Sequence, residues 1–190
     1  MSQKHSLLIF DTETSGLGSG DRPIELGYIR MDNGLETLAH SALLKSVTEI
    51  HPRASEMNGI TMDRLLAEGK DPKQELEKFF KLVREVVEDG GVLVAHNASF
   101  DVKMLSRLAE DVGLESPFQK TNVFCTMKKA TSQCQLPPFR YGSWKYPKLS
   151  EMADTLKVVY DPTVLHGAVQ DCRLTARCYV EAENQGWWSV

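Results

Sequence analysis

The chain has 190 residues, 42% of them hydrophobic and 25% charged, with a formal net charge of −4. A chain of this length can bury a core without disulfides or a structural metal, and the hydrophobic content excludes intrinsic disorder. No apolar run approaches the ~20 residues of a transmembrane helix, and the run Leu7–Phe10 is too short for a signal peptide. We therefore expect one domain over residues 1–190, no membrane association and a cytoplasmic location.

The cysteines form no C-x-x-C pair, which argues against a zinc site. In a cytosolic protein they are expected to be reduced and mostly buried thiols. They are Cys125, Cys134, Cys172 and Cys178.

Three strands open the predicted fold. The mostly apolar segment His5–Phe10 predicts the first strand, and Pro23–Arg30 and Leu35–Leu44 predict the next two. The turn Asp32-Asn33-Gly34 between the second and third strands is a strong hairpin signal. We expect these three strands to be antiparallel.

Helices and a buried strand follow. A helix is predicted to begin at Asp71-Pro72, with Asp71 as its cap, and to end at Gly90-Gly91. The β-branched run Val92–Ala95 predicts a buried strand, and Ser99 is the predicted cap of a helix that runs to about Gly113.

The last third of the chain begins with the segment Thr131–Pro147, which predicts a long loop. Helices are predicted near Lys148–Leu156 and over Ala168–Asn184. Strands first, then alternating helices and strands, indicate an α/β fold with a mixed sheet flanked by helices.

Acidic side chains lie at two of the predicted element ends. Asp11 and Glu13 are two residues apart at the end of the first strand, so both point to the same face. Asp101 lies in the first turn of the helix that follows Val92–Ala95, and ligands of open α/β sheets gather at the carboxyl ends of strands. Plainer interpretations are a strand end that reaches solvent and a helix-start aspartate favoured by the helix dipole.

His166 and Asp171 form a third candidate feature. On one continuous helix, five residues of separation would turn their side chains ~140° apart. The two side chains can converge only if His166 lies in the loop before the helix, and Gly167 is suited to such a break. Taken alone, His166 would be interpreted as a surface loop histidine.

Four carboxylates and one histidine at strand ends and helix starts are typical of a two-metal site. Hard oxygen ligands favour Mg²⁺ or Mn²⁺ over zinc. Two such ions about 4 Å apart clamp a phosphodiester, activating the attacking water and stabilising the leaving oxygen. A histidine can accept the proton of that water.

With these motifs the sequence resembles the DEDDh 3′→5′ exonucleases, the superfamily of polymerase proofreading subunits, and within it the proofreading subunit and the exonuclease X type. The resemblance covers about residues 6–182. It rests on three motifs in order, with three supporting matches. These are Asp11-x-Glu13, Asn97-x-x-Phe100-Asp101 and His166-x-x-x-x-Asp171, supported by Pro23–Gly27, Gly59–Thr61 and Cys125–Lys128.

The resemblance implies an RNase H-like fold with a five-stranded mixed sheet and hydrolysis that releases 5′-mononucleotides from a 3′ end. It implies two divalent ions, Mg²⁺ or Mn²⁺. Asp11, Glu13 and Asp171 would hold the first ion, Asp11 would bridge to the second, and Asp101 would bind mainly through water. His166 would be the general base.

The resemblance also implies substrate-binding residues. Thr14 lies where the family grips the terminal 3′-hydroxyl, as does Glu13. Leu17 and Ile60 match apolar residues that contact the last bases, Phe100 would pack under the terminal nucleotide, and Asn97 would approach the phosphate. For Leu17, Ile60 and Phe100 a core role stays open.

One position departs from the family pattern. The family often has histidine where this chain has Asn58, in Asn58-Gly59-Ile60-Thr61. Asn58 can donate a hydrogen bond but cannot titrate.

Two further segments suggest partners. Phe139–Lys148 interleaves aromatic and basic residues, which is the composition of a single-strand platform or of a loop anchored by its rings. Lys128 and Lys129 would extend that basic surface or form a solvated helix face. Gln135–Phe139 resembles the peptide with which replication proteins dock on the bacterial sliding clamp, and it is also compatible with a plain proline-rich loop.

The expected substrate is a single-stranded or frayed 3′ end of DNA. The nearest alternative is the same chemistry on RNA, and an alternative from another class is a non-catalytic nucleic-acid-binding module that has lost a ligand or the histidine. A polymerase partner and a homodimer stay open. The acidic charge argues against a general polyanion binder, but two Mg²⁺ ions would offset the four proposed ligands.

Overall fold

The computed structural model describes residues 6–138, 142–164 and 166–188. In these ranges three strands come first, and helices then alternate with two further strands, as in an α/β fold. The strands are β1 Leu7–Thr14, β2 Pro23–Asp32, β3 Leu35–Leu43, β4 Val92–Ala95 and β5 Val123–Cys125. The helices are α1 Pro52–Asn58, α2 Met62–Glu68, α3 Pro72–Glu88, α4 Ala98–Asp111, α5 Thr126–Cys134, α6 Leu149–Leu156 and α7 Ala168–Asn184, with 3₁₀ turns at Pro117–Lys120 and Pro162–Val164.

The strands form one five-stranded mixed sheet in the order β3-β2-β1-β4-β5. β1, β2 and β3 pair antiparallel, whereas β4 is parallel to β1 and β5 is parallel to β4. The predicted fold class, the opening three-stranded hairpin array and the buried strand at Val92–Ala95 are confirmed.

Alternating residues of β1 send side chains to two different helical layers. Leu8 and Phe10 pack with α3 and α4 on one face of the sheet. Leu7 and Ile9 pack with α7 on the other face. Because side chains alternate along a strand, Asp11 and Glu13 continue the face that is covered by α7.

Two predicted helices have the bounds that the sequence indicated. Asp71 caps α3, accepting a hydrogen bond from the Gln74 N–H at 2.9 Å. The helix α7 spans Ala168–Asn184, as predicted.

Several local predictions were wrong. The helix α4 begins at Ala98 after Asn97, so Ser99 is already inside the helix and is not its cap. The predicted loop begins too early, because α5 continues through Cys134. The first strand extends beyond Phe10 to Thr14, since pairing with β2 continues to that residue.

The structure also bears on the cysteines and on membrane-spanning helices. All four cysteines are free thiols, with Cys172 and Cys178 buried and the other two half-buried. Among the helices of the described residues, none is both long and apolar enough for a membrane crossing. The strand start predicted at His5 lies outside the described residues.

Candidate active site

The end of β1 carries the first two carboxylates. Asp11 and Glu13 are half-buried on the sheet face that α7 covers. In the antiparallel pair with β2, Asp11 lies opposite Gly27 and Glu13 lies opposite Glu25. Strand geometry therefore holds two carboxylates side by side at a sheet end.

His166 lies in the loop before α7, as the convergence of the third motif requires. Its backbone is left-handed, with a φ of 69°, and the helix begins two residues later at Ala168. The His166 N–H donates to Asp171 Oδ1 at 3.4 Å. The possible ligand atoms of Glu13, His166 and Asp171 all lie within 4.8 Å of one another. The break at Gly167 thus brings together two side chains that a continuous helix would separate.

Asp101 enters from the opposite helical layer. It lies in the first turn of α4, is 3% exposed and accepts hydrogen bonds from Thr12. The Thr12 N–H donates to Asp101 Oδ1 at 3.1 Å, and the Thr12 hydroxyl donates to the same oxygen at 2.8 Å. Thr12 separates Asp11 from Glu13 in β1, so these bonds tie α4 to the strand that carries the pair.

Burial and mutual repulsion favour the protonated form of the carboxyl groups in this cluster. Burial raises the pKa of Asp11 well above its usual range, and the charges of Asp101 and Asp171 raise it further. Burial, followed by the charges of Asp171 and Glu25, raises the pKa of Glu13 to about 8.

The pKa values of the other two carboxyl groups, Asp101 and Asp171, are raised as well. Burial raises the pKa of Asp101 to about 7, although the bonds from Thr12 oppose this rise. Burial also raises the pKa of Asp171, against the lowering effect of His166. Protonation relieves the repulsion among buried carboxylates, and a divalent cation would relieve it by displacing the protons. The oxygen-rich donor set therefore fits Mg²⁺ or Mn²⁺.

The residues expected to contact substrate have different surroundings. Thr14 is buried and its hydroxyl donates to the Gly16 carbonyl at 2.9 Å. Asn97 is exposed and Phe100 is half-buried at the start of α4. Leu17 is 83% exposed, which removes the core alternative for that residue.

Ile60 is the exception among the expected base contacts. It is 1% exposed and packs in a small cluster with Ile24, Leu43 and Leu65. Its side chain thus lies in the core, the alternative that the sequence left open, and its expected contact with the last bases stays a prediction. The neighbouring Asn58 accepts from the Ile60 N–H at 3.0 Å and donates to the Thr14 carbonyl at 3.4 Å.

The basic and aromatic loop is described only in part. Phe139–Tyr141 lie outside the described residues, and so does the last residue of the expected clamp peptide. In the remainder, Tyr146 is 55% exposed and Lys145 is paired with Glu151. Leu136 of that peptide is half-buried, and its carbonyl accepts from the Lys145 N–H at 3.1 Å.

The sequence motifs contain two polar residues to which no role was assigned. His96, at the end of β4, has Nδ1 at 2.9 Å from the Thr126 hydroxyl and Nε2 at 3.0 Å from the Pro147 carbonyl. Burial lowers the pKa of His96 to about 4, so the neutral imidazole links the start of α5 to the loop before α6. Glu25 adjoins the carboxylate cluster, and the only sequence signal for it was its place in the supporting match Pro23–Gly27.

Comparisons with known proteins identify a family for this chain. A family model described as "Exonuclease" matches residues 8–179. The DNA polymerase III PolC-type protein of Listeria innocua serovar 6a is 31% identical over 169 residues, covering 88% of this chain but 10% of the relative. Ribonuclease T of Actinobacillus pleuropneumoniae serotype 5b is 28% identical over 191 residues, covering 94% of this chain and 83% of the relative. The solved structure of exonuclease X in complex with 5′ overhanging duplex DNA has a TM-score of 0.67 and 25% identity, covering 96% of this chain and 94% of that one.

The RNase H-like fold with a five-stranded mixed sheet, which the family resemblance implied, is confirmed by the likeness to solved exonuclease structures. The chain belongs to the exonuclease family whose model matches residues 8–179. The chain spans only 10% of the length of the PolC-type relative. The activities of the rest of that relative are therefore not inferred for this chain.

Proposed function

We propose that the chain is a metal-dependent 3′→5′ exodeoxyribonuclease that releases 5′-mononucleotides. The observation that carries the proposal is the convergence of Glu13, His166 and Asp171 within 4.8 Å, beside the half-buried Asp11 and the buried Asp101. The similarity to an exonuclease X structure that contains DNA supports DNA as the substrate.

The four carboxylates would hold the divalent ions. They are Asp11, Glu13, Asp101 and Asp171, and in this assignment Asp11, Glu13 and Asp171 would bind one ion together. When bound, the two ions supply charge neutralisation and polarise the scissile phosphodiester. The raised pKa values of these groups mean that ion binding releases protons, so metal affinity increases with pH.

His166 acts as the general base toward the attacking water. Its place in the loop before α7 leaves the imidazole outside the helix, and it is exposed. The bond from the His166 N–H to Asp171 restrains the loop that carries the imidazole. The proton taken from the water can leave from an exposed ring to solvent.

Groups around the 3′ end would orient the terminal nucleotide. Leu17 presents an apolar side chain to solvent, where a base could pack. Asn97 is exposed at the start of α4, where its amide could reach a phosphate.

The second candidate is the same reaction on RNA. It is favoured by the likeness to ribonuclease T, which is covered over 83% of its length. Discrimination depends on how closely the site fits the 2′-hydroxyl.

The test is a parallel assay on DNA and RNA oligomers of the same sequence, labelled at the 5′ end, with Mg²⁺ or with EDTA. The expected result is Mg²⁺-dependent shortening of DNA from the 3′ end with mononucleotide products. Asp171→Ala and His166→Ala should each remove most of the activity, whereas the control Asp63→Asn, an exposed aspartate of α2, should retain it. Degradation of RNA but not DNA would overturn the choice of substrate, and full activity of both site variants would overturn the site assignment.

A further inference from the structure

The start of α7 packs directly on β2, at the residues of β2 that pair with Asp11 and Glu13 of β1. The first helical residue is Ala168, and the preceding N-cap position is Gly167. Glycine has no side chain with which to satisfy a free helix N–H group, although each helix start leaves several such groups unpaired. Another part of the chain must therefore supply an acceptor if those groups are to be satisfied.

Glu25 supplies that acceptor from 143 residues away. The Ala168 N–H donates to Glu25 Oε2 at 3.2 Å. The Ser41 hydroxyl of β3 donates to Glu25 Oε1 at 2.6 Å. Both oxygens of one carboxylate are thus engaged, one by the helix and one by the neighbouring strand. A negative charge at a helix N-terminus is also favoured by the helix dipole.

Gly27, two residues along the same face of β2, permits the helix to come this close. A Cβ atom at Gly27 would lie 2.5 Å from both the Ala168 carbonyl carbon and the Val169 nitrogen. The Gly27 carbonyl also accepts from the buried Cys172 thiol at 3.4 Å. Glu25 and Gly27 therefore fix the first turn of α7 against β2.

The strand pairing places these two contacts opposite the candidate ligands. Gly27 is paired with Asp11, and Glu25 is paired with Glu13. The residues that hold the beginning of α7 are thus the direct neighbours of the two carboxylates of β1. The pairing of β1 with β2 therefore fixes how far Asp11 and Glu13 lie from the start of α7.

The charge of Glu25 is kept close to a site that already repels negative charge. Burial is the main reason for the raised pKa of Glu13, and the charges of Asp171 and Glu25 add to it. A neutral acceptor would satisfy the Ala168 N–H without that repulsion. A carboxylate, however, can accept from Ser41 and Ala168 at the same time with two equivalent oxygens.

We infer that Glu25 is a positioning residue that holds the start of α7 so that His166 and Asp171 face Asp11 and Glu13. The inference rests on the proposed function in taking those four residues as catalytic machinery. In this role Glu25 acts through the first turn of α7, by its bonds to Ala168 and Ser41.

The test compares Glu25→Gln with a matched control, Glu36→Gln. Glu36 of β3 also holds α7, through two bonds to Arg173 at 2.8 and 3.0 Å, but beyond the first turn. Glu25→Gln retains the size of the side chain but leaves one donor without a carboxylate oxygen. The readouts are hydrogen exchange of the peptide that contains residues 166–171, Mn²⁺ binding measured without substrate, and kcat and KM on a DNA oligomer.

For Glu25→Gln we expect faster exchange at residues 166–171, weaker Mn²⁺ binding and a fall in kcat of roughly 10- to 100-fold, typical of losing a group that orients metal ligands. KM should stay nearly unchanged, because the groups expected to contact the nucleotide are not on α7. Glu36→Gln should leave all three readouts near those of the parent protein.

Unchanged exchange and kcat in Glu25→Gln would overturn the inference, and so would an equal loss in both variants. If Glu25→Gln does not fold, Ser41→Ala is the second variant, because it removes only the hydrogen bond to Glu25 Oε1. It should change hydrogen exchange, Mn²⁺ binding and kcat in the same directions but by less. No change in these three readouts would overturn the inference. If the parent protein lacks nuclease activity, the proposed function fails, while exchange and Mn²⁺ binding still test the role of Glu25.

Discussion

Replacing Asp101 by asparagine should make the metal-free protein more stable at pH 8 while removing activity. Asp101 is 3% exposed, and burial raises its pKa from 3.8 to about 7. The folded state therefore holds a proton on this group over a range of pH in which the unfolded state has lost it. The amide oxygen of the substituted side chain can still accept both bonds from Thr12, so the substitution removes charge rather than contacts.

The sign follows from proton linkage. A carboxyl whose folded pKa is raised stabilises the fold most below its unfolded pKa, and that contribution is lost as pH increases through the folded pKa. For Asp101 the loss occurs between about pH 4 and pH 7. A difference of this size corresponds to about 4 kcal/mol at about 1.36 kcal/mol per pKa unit, an upper value because the neighbouring carboxyls titrate together with it.

Thermal unfolding in EDTA at pH 4 and pH 8 measures this effect. We expect Asp101→Asn and the parent protein to have similar free energies of unfolding at pH 4, and the variant to be more stable by about 1–4 kcal/mol at pH 8. For a chain of this length that is a rise in Tm of roughly 2–4 °C per kcal/mol. The exposed control Asp63→Asn should show no pH-dependent gain. A variant that is less stable than the parent at pH 8, or equally stabilised at both pH values, would refute the reasoning.

Three other outcomes are expected. Leu17→Ala should leave Tm unchanged, because the side chain is 83% exposed, and should raise KM for a DNA oligomer; an unchanged KM in a steady-state assay would exclude the base contact. Gly27→Ala should lower the free energy of unfolding by about 1–3 kcal/mol, because the added Cβ would lie 2.5 Å from the backbone of α7. Denaturant titration measures this loss. An unchanged midpoint would show that the helix can move away from β2. Ca²⁺ should raise the affinity for a labelled 3′ end in a fluorescence anisotropy titration, since the metal-free cluster of Asp11, Glu13 and Asp171 is acidic; equal affinity in EDTA would contradict this.

The strongly periodic or punctuated elements could be predicted from the sequence. The hairpin of β2 and β3, the capped helix α3 and the bounds of α7 follow from local patterns. The helices α1 and α2 were missed because each has seven residues, and α1 has no buried residue to give a periodic signal. The strand β5 has three residues, which is too short for an alternation to be recognised.

The candidate site could be assembled from motifs because its groups lie at element ends. The convergence of His166 and Asp171 was predictable from Gly167, which marks the break before α7. The contact between Glu25 and Ala168 was not predictable, because it depends on the pairing of β2 with β1 and on a helix 143 residues away. The burial of Ile60 likewise depends on where α2 packs against β2 and β3.

The most direct test of the account is a crystal structure with Mn²⁺ and a deoxynucleoside 5′-monophosphate, in which anomalous scattering locates the ions. We expect two Mn²⁺ ions, both at the end of β1, one of them contacted by Asp11, Glu13 and Asp171. We also expect Asp171→Asn to lose at least one of the two. Ions bound elsewhere, or none at this cluster at millimolar Mn²⁺, would contradict the central claim.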